Sequence, residues 1–83
     1  MASVKWDADA LKELELIDAA IAGRIVEKVS WLEANFSSVV PEKLSWNLRG
    51  LYKLRIGDYR VIYTLARTLI IIKAVRHRSE VYR

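Results

Sequence analysis

Two β-forming runs separated only by Gly57 and Asp58 constrain the fold of this chain more than any other feature of its sequence. The runs, residues 52–56 and 59–65, are rich in aromatic and aliphatic residues. A two-residue connection with glycine in first place is typical of a type II′ hairpin turn, which sets the strand register. The facing pairs that this register predicts are Ile56 with Tyr59, Arg55 with Arg60, Leu54 with Val61, and Lys53 with Ile62.

The predicted hairpin has two different faces because side chains alternate along a strand. One face is apolar and aromatic and suits a core; it carries Tyr52, Leu54, Ile56, Tyr59, Val61, Tyr63 and Leu65. The other face carries Lys53, Arg55 and Arg60. Like charges that face each other across a strand pair cost roughly a few tenths to 1 kcal/mol. An arginine opposite an arginine therefore indicates that an anion binds there.

A third β-forming run, residues 69–75, follows a short connection at residues 66–68. No Gly, Asn or Pro marks the turn, so its register stays open. A slip by one residue would exchange the faces of Lys73 and Arg76. The tail that follows, residues 76–83, is basic in either register.

The first half of the chain predicts one short strand and two helices. A strand is expected at residues 3–6, and Asp7 is placed to cap a helix at residues 8–16. Asp18 is placed to cap a second helix at residues 19–36, whose apolar side chains recur every three or four residues: Ile21, Ile25, Val29, Leu32 and Phe36. Residues 37–48 are expected to form a loop, with Trp46 and Leu48 tucked against the core.

These elements predict an α+β fold in the order β-α-α-β-β-β, with an antiparallel sheet and a helical hairpin packed on one face. The chain has 83 residues, which suits a single domain spanning residues 1–83. It has no cysteine and one histidine, which excludes disulfides and leaves no plausible zinc site. The amino terminus lacks a signal-peptide pattern and no apolar run could span a bilayer, so we expect a cytoplasmic protein without a membrane partner.

Charge divides the chain into an acidic half and a basic half. Residues 1–48 contain five Lys or Arg against eight Asp or Glu, whereas residues 49–83 contain nine against two. A basic half of this kind predicts a polyanionic partner, for which nucleic acid is the usual candidate.

Two segments, LRGLYKLRIGDYRVIY at residues 48–63 and HRSEVYR at residues 77–83, resemble the RelE/ParE superfamily of bacterial toxins, on its RelE side. The resemblance implies a microbial-RNase-like fold and a ribosome-dependent endoribonuclease. Such an enzyme cuts mRNA in the ribosomal A site through attack by the 2′-OH, without a metal or another cofactor. The resemblance also implies a RelB-like antitoxin partner, with operator DNA bound only through that antitoxin.

The resemblance and the chemistry of the side chains together predict a site. The predicted catalytic residues are Lys53, Arg60, Arg76, His77 and Tyr82, and the predicted RNA-binding residues are Arg49, Arg55, Arg78 and Arg83. Arginine binds phosphate through its planar fork but does not act as a base.

Three residues are candidates for the base. Lys53 qualifies because nearby like charge disfavours its ammonium form; the alternative is a solvated strand lysine. His77 could carry a proton or could simply hydrogen-bond the backbone at the end of a strand. Tyr82 could stack on a nucleobase or serve as a terminal anchor.

Two other functions remain open for this sequence. The gyrase-poisoning branch of the same superfamily shares the fold but acts on a protein. A non-catalytic nucleic-acid-binding corepressor, working with its antitoxin, would bind phosphates without cutting the strand. The basic cluster together with Tyr82 favours the nuclease.

Overall fold

The structure is a computed structural model that describes residues 2–45 and 50–81 of the chain. Its strands are β1 (Ser3–Trp6), β2 (Glu42–Lys43), β3 (Tyr52–Ile56), β4 (Tyr59–Ala66) and β5 (Leu69–His77). Its helices are α1 (Ala8–Glu15), α2 (Ala19–Asn35) and α3 (Arg78–Val81), with a short 3-10 helix at Phe36–Ser38. The predicted α+β fold class is confirmed.

The hairpin at Gly57 and Asp58 forms as predicted. All four facing pairs of β3 and β4 expected from the sequence are present, and the ladder extends to Tyr52 with Tyr63. Gly57 has φ +56°, whereas Asp58 is not among the described residues with positive φ. Positive φ at the first central residue alone is the requirement of a type II′ turn, and glycine meets it without steric cost.

The sheet has five strands in the order β1-β5-β4-β3-β2. Two features differ from the prediction. First, β1 runs parallel to β5, so the sheet is not antiparallel throughout. Second, β2 lies inside the segment expected to be a loop, where Glu42 faces Lys53 and Lys43 faces Tyr52. A strand of two charged residues is too short to show an alternating pattern in the sequence. Strand β2 forms only because it pairs with β3.

The second hairpin has a bulge that decides the faces of the last strand. Its turn contains Arg67, which has φ 58°, a conformation that side chains other than glycine and asparagine rarely adopt. Along the ladder, Tyr63 faces Ile72 and Ile62 faces Ala74, so one residue of β5 is extra. That residue is Lys73. Every residue of β5 after the bulge has therefore changed faces relative to regular alternation.

The two long helices pack on the apolar face of the sheet, as predicted. The buried core combines residues of both helices and the sheet. Helix α1 contributes Ala10, and α2 contributes three residues of the predicted stripe, Ile25, Val29 and Leu32. The sheet contributes Val61, Tyr63, Ile70, Ile72 and Val75. No helix within residues 2–45 and 50–81 is long and apolar enough to cross a membrane.

The two predicted caps differ in outcome. The Asp18 carboxylate accepts the Ala20 N–H at 3.1 Å and caps α2. Asp7 occupies the N-cap position of α1 but makes no capping hydrogen bond, because its carboxylate pairs with Lys73 instead. The predicted packing of Trp46 and Leu48 lies outside the described residues.

Candidate functional site

Three arginines form a row across β3, β4 and β5. Arg55 faces Arg60, and Arg60 faces Arg76. Residues that face each other across antiparallel strands point to the same side of the sheet. All three therefore lie on the side opposite the helices, together with Lys53. We call Lys53, Arg55, Arg60 and Arg76 the cation face.

The bulge at Lys73 is what brings Arg76 to the cation face. Val75 belongs to the buried core and faces Val61, and Arg76 points to the other side. Without the extra residue in β5, the alternation set by Ile70 and Ile72 would direct Arg76 toward the helices. The register of the second hairpin, which the sequence left open, thus places Arg76 on the same face as Arg55 and Arg60.

Arg60 lies on the predicted face but is buried, with 5% of its surface exposed. Its Nη1 donates hydrogen bonds of 2.9 Å to the carbonyl oxygens of Gly57 and Tyr59. Its Nε has no hydrogen-bond partner among the described residues. The Arg60 guanidinium holds the hairpin turn in place, and its charge adds to the positive potential around the exposed Arg55. Strand alternation predicted the face of Arg60 but not its burial.

We expect Arg60→Ala to lower the free energy of unfolding by about 1–3 kcal/mol, because two charge-assisted hydrogen bonds to the turn are lost. The control is Arg55→Ala, which removes an exposed arginine from the same row. It should change stability by less than about 0.5 kcal/mol, since surface substitutions usually do. Urea denaturation of the two variants measures both effects. Equal destabilisation would contradict the structural role of Arg60.

A carboxylate that the sequence analysis missed lies on the cation face. Glu42 Oε1 is 3.6 Å from Lys53 Nζ, and the two side chains are 53% and 15% exposed. Glu42 belongs to β2, so its place opposite Lys53 follows only once β2 is paired with β3. No local sequence pattern singles out Glu42, because a strand of two residues is too short to show alternation. Glu42 therefore adds to the cation face a carboxylate, which can accept a proton, whereas the other side chains of the face are lysine and arginine.

His77 does not join the cation face. It faces Tyr59, with the two rings in an edge-on contact and their centroids 5.5 Å apart. Its Nδ1 accepts the Ser79 N–H at 3.2 Å and lies 2.9 Å from Ser79 Oγ. This arrangement matches the alternative in which His77 hydrogen-bonds the backbone at the end of a strand. A catalytic role for His77 stays a prediction.

The remaining predicted residues lie near or beyond the end of the sheet. The Arg78 N–H donates to the Asp58 carbonyl at 2.7 Å, and its Nε lies 3.8 Å from Asp58 Oδ1. These contacts tie α3 to the first hairpin turn. The predictions for Arg49, Tyr82 and Arg83 fall outside the described residues.

Tyr63 has a raised pKa, chiefly because the side chain is buried, with further contributions from Tyr52 and Glu42. It stacks on Tyr52, with ring centroids 5.6 Å apart, on the side of the sheet that packs against the helices. A phenol with a raised pKa stays protonated near neutral pH. Tyr63 is therefore a core residue and not a base for the site.

Comparison with known proteins gives one family and several similar folds. The family model for the ParE toxin of the type II toxin–antitoxin system parDE matches residues 4–82. No curated protein matches the sequence. A similar solved structure is the RelBE2 toxin–antitoxin complex from Mycobacterium tuberculosis, at 26% identity and TM-score 0.80, covering 93% of this chain and 98% of that chain.

Two further structures show the same fold at lower identity. The isolated RelE toxin from E. coli is 15% identical with TM-score 0.74, covering 93% of this chain and 84% of that chain. A chain of the chromosomal ParDE system from P. aeruginosa is 21% identical with TM-score 0.72, covering 93% and 96%. Structures of a RelE toxin and of a ParDE system thus share this fold.

Proposed function

Since the chain belongs to the ParE toxin family of type II toxin–antitoxin systems, within the RelE/ParE superfamily, we propose that it is a RelE-type endoribonuclease. It cuts mRNA bound in the ribosomal A site. The observation that carries this proposal is the cation face, where Arg55 and Arg76 flank Arg60 and a carboxylate, Glu42, lies beside Lys53. In this combination the arginines can bind the phosphate of an RNA strand, and the carboxylate can accept the proton of the attacking hydroxyl.

The proposed reaction uses the ribose 2′-OH as the nucleophile. Glu42 accepts the 2′-OH proton as the oxygen attacks the adjacent phosphorus, and Arg55 and Arg76 stabilise the charge that develops on the phosphoryl oxygens. The bond from phosphorus to the 5′ oxygen then breaks, which leaves a 2′,3′-cyclic phosphate and a 5′-OH. The leaving 5′ oxygen takes its proton from water, and Tyr82, a predicted catalytic residue, is proposed to stack on a nucleobase of the mRNA.

We further propose that a cognate, RelB-like antitoxin holds the toxin inactive. Solved relatives of this fold include toxin–antitoxin complexes from Mycobacterium tuberculosis and Methanococcus jannaschii. In the proposed function the ribosome and its A-site mRNA are the targets, the protein acts in the cytoplasm, and operator DNA is bound only through the antitoxin.

Toeprinting of ribosomes on a defined mRNA tests the proposed activity. We expect wild-type protein to produce cuts confined to the A-site codon, and the same mRNA without ribosomes should stay intact. The control is the protein mixed with ribosomes after addition of its antitoxin, which should abolish cleavage. Intact mRNA at saturating, folded protein would contradict the nuclease.

Gyrase inhibition is the second candidate function, because the matching family model is that of the ParE toxin. A gyrase assay run in parallel separates the two. Accumulation of gyrase-cleaved DNA together with intact ribosome-bound mRNA would support the inhibitor. Salt-sensitive binding of nucleic acid without either activity would support the non-catalytic corepressor that works with its antitoxin.

A further inference from the structure

Glu13 connects the helical layer to the last strand beside the cation face. Its Oε1 accepts the Val75 N–H at 3.2 Å, and its Oε2 accepts a hydrogen bond from Arg76 Nε. The Glu13 side chain is 25% exposed and the Arg76 side chain 47%. One carboxylate in α1 therefore contacts both the backbone before Arg76 and the Arg76 guanidinium.

The strand at this point depends on α1 for support. Strand β1 pairs with β5 only as far as Ile72, so β1 does not reach the Val75 N–H. The bulge at Lys73 lies just before this point in β5. There Lys73 forms an ion pair with Asp7, which precedes α1. Two carboxylates, one before α1 and one within it, thus hold the segment whose conformation sends Arg76 to the cation face.

We propose that Glu13 is a positioning residue for Arg76. Its carboxylate holds the guanidinium through Nε, which leaves the terminal nitrogens of Arg76 to bind a phosphate oxygen pair. A charged partner that fixes an arginine in place reduces the side-chain freedom lost when the anion binds. This inference rests on the proposed function, because it takes Arg76 as the ligand of the scissile phosphate.

Whether replacing Glu13 weakens or strengthens anion binding distinguishes a positioning role from a simple effect of its charge. Removing a carboxylate next to a cation normally strengthens anion binding, because the local potential becomes more positive. If Glu13 positions Arg76, Glu13→Gln must instead weaken binding and slow cleavage. Gln keeps an oxygen that can accept the Val75 N–H, so this substitution chiefly removes the charged contact to Arg76.

Glu15→Gln is the matched control. Glu15 lies in the same helix and is exposed. The two variants have the same net charge and the same chemical change. The test compares them with wild type in three measurements: thermal unfolding, the NMR signal of the Arg76 Nε–H during titration with inorganic phosphate, and A-site cleavage under single-turnover conditions.

We expect Glu13→Gln to shift the Arg76 Nε–H signal, to weaken phosphate binding at Arg76, and to slow cleavage by up to about 100-fold, a loss that a displacement of about 1 Å can cause. Glu15→Gln should match wild type in all three. Glu13→Asp, which keeps the charge on a shorter side chain, should recover part of the loss and serves as the test variant if Glu13→Gln unfolds.

The outcomes for Glu13 and for the proposed function are distinguishable. Phosphate binding by Glu13→Gln that is equal to or tighter than that of Glu15→Gln would overturn the positioning role, whatever the wild-type protein does on ribosomes. Wild-type protein that binds phosphate at Arg76 but leaves ribosomal mRNA intact would overturn the nuclease. In that case the phosphate titration alone decides the role of Glu13.

Discussion

Replacing Glu42 with glutamine is expected to lower the single-turnover rate of A-site cleavage by about 100- to 10,000-fold, the usual range for the loss of a general base. Glutamine has nearly the same shape as glutamate but cannot take the 2′-OH proton. Binding of the toxin to ribosomes should not weaken, because the substitution makes the cation face more positive. A rate loss without an affinity loss is the signature of a group that acts in the transition state.

Stability should change little in this variant. Glu42 is half exposed and lies 3.6 Å from Lys53, and an ion pair of this kind contributes about 1 kcal/mol or less. The matched control is Glu27→Gln, which removes an exposed carboxylate from α2 on the other side of the sheet. Cleavage by Glu42→Gln at the wild-type rate would show that Glu42 is not the base and would return that role to the candidates Lys53, His77 and Tyr82.

Replacing Arg76 with alanine is expected to slow cleavage by about 100- to 1,000-fold, which is the range found when one donor to a developing oxyanion is removed. Arg76→Lys should retain part of the activity, because lysine keeps the charge but loses the planar fork. Quantifying the cut mRNA over time for the three proteins measures the effect.

The control for Arg76 is Arg24→Ala. Arg24 is exposed on α2, in the helical layer on the other side of the sheet, and its loss changes the net charge by the same amount. If both alanine variants slow cleavage equally, the effect comes from overall charge and not from the place of Arg76. Arg24→Ala should unfold at a similar urea concentration to wild type, and Arg76→Ala at a slightly lower one, because it loses the ion pair with Glu13.

The parts of the fold that were predictable are those encoded by local chemistry. Gly57 at the first position of a two-residue turn set the register of β3 and β4, and through that register it placed Lys53, Arg55 and Arg60 on one face. The spacing of apolar residues in α2 similarly identified Ile25, Val29 and Leu32 as core. Each of these signals lies within a few residues of the feature that it predicts.

The parts that were not predictable depend on contacts between distant segments. Strand β2 exists because β3 offers it an edge, and Glu42 reaches the cation face only through that pairing. The bulge at Lys73 involves Asp7, and the contact of Glu13 with Arg76 joins residues far apart in the chain. Alternation assigns a residue to a face but does not tell how deeply it is covered, as Arg60 shows.

The parallel pairing of β1 with β5 has a consequence for synthesis of the protein. Strand β1 leaves the ribosome before β5 and must wait for it, because Ser3 pairs with Leu69 and Trp6 with Ile72. Contacts between residues so far apart in sequence form late in folding, since the intervening chain must close first. Arg76 belongs to that same last strand. A nascent chain therefore cannot assemble its arginine row before β5 has been translated, so a copy that stops short of β5 lacks the surface proposed to bind RNA.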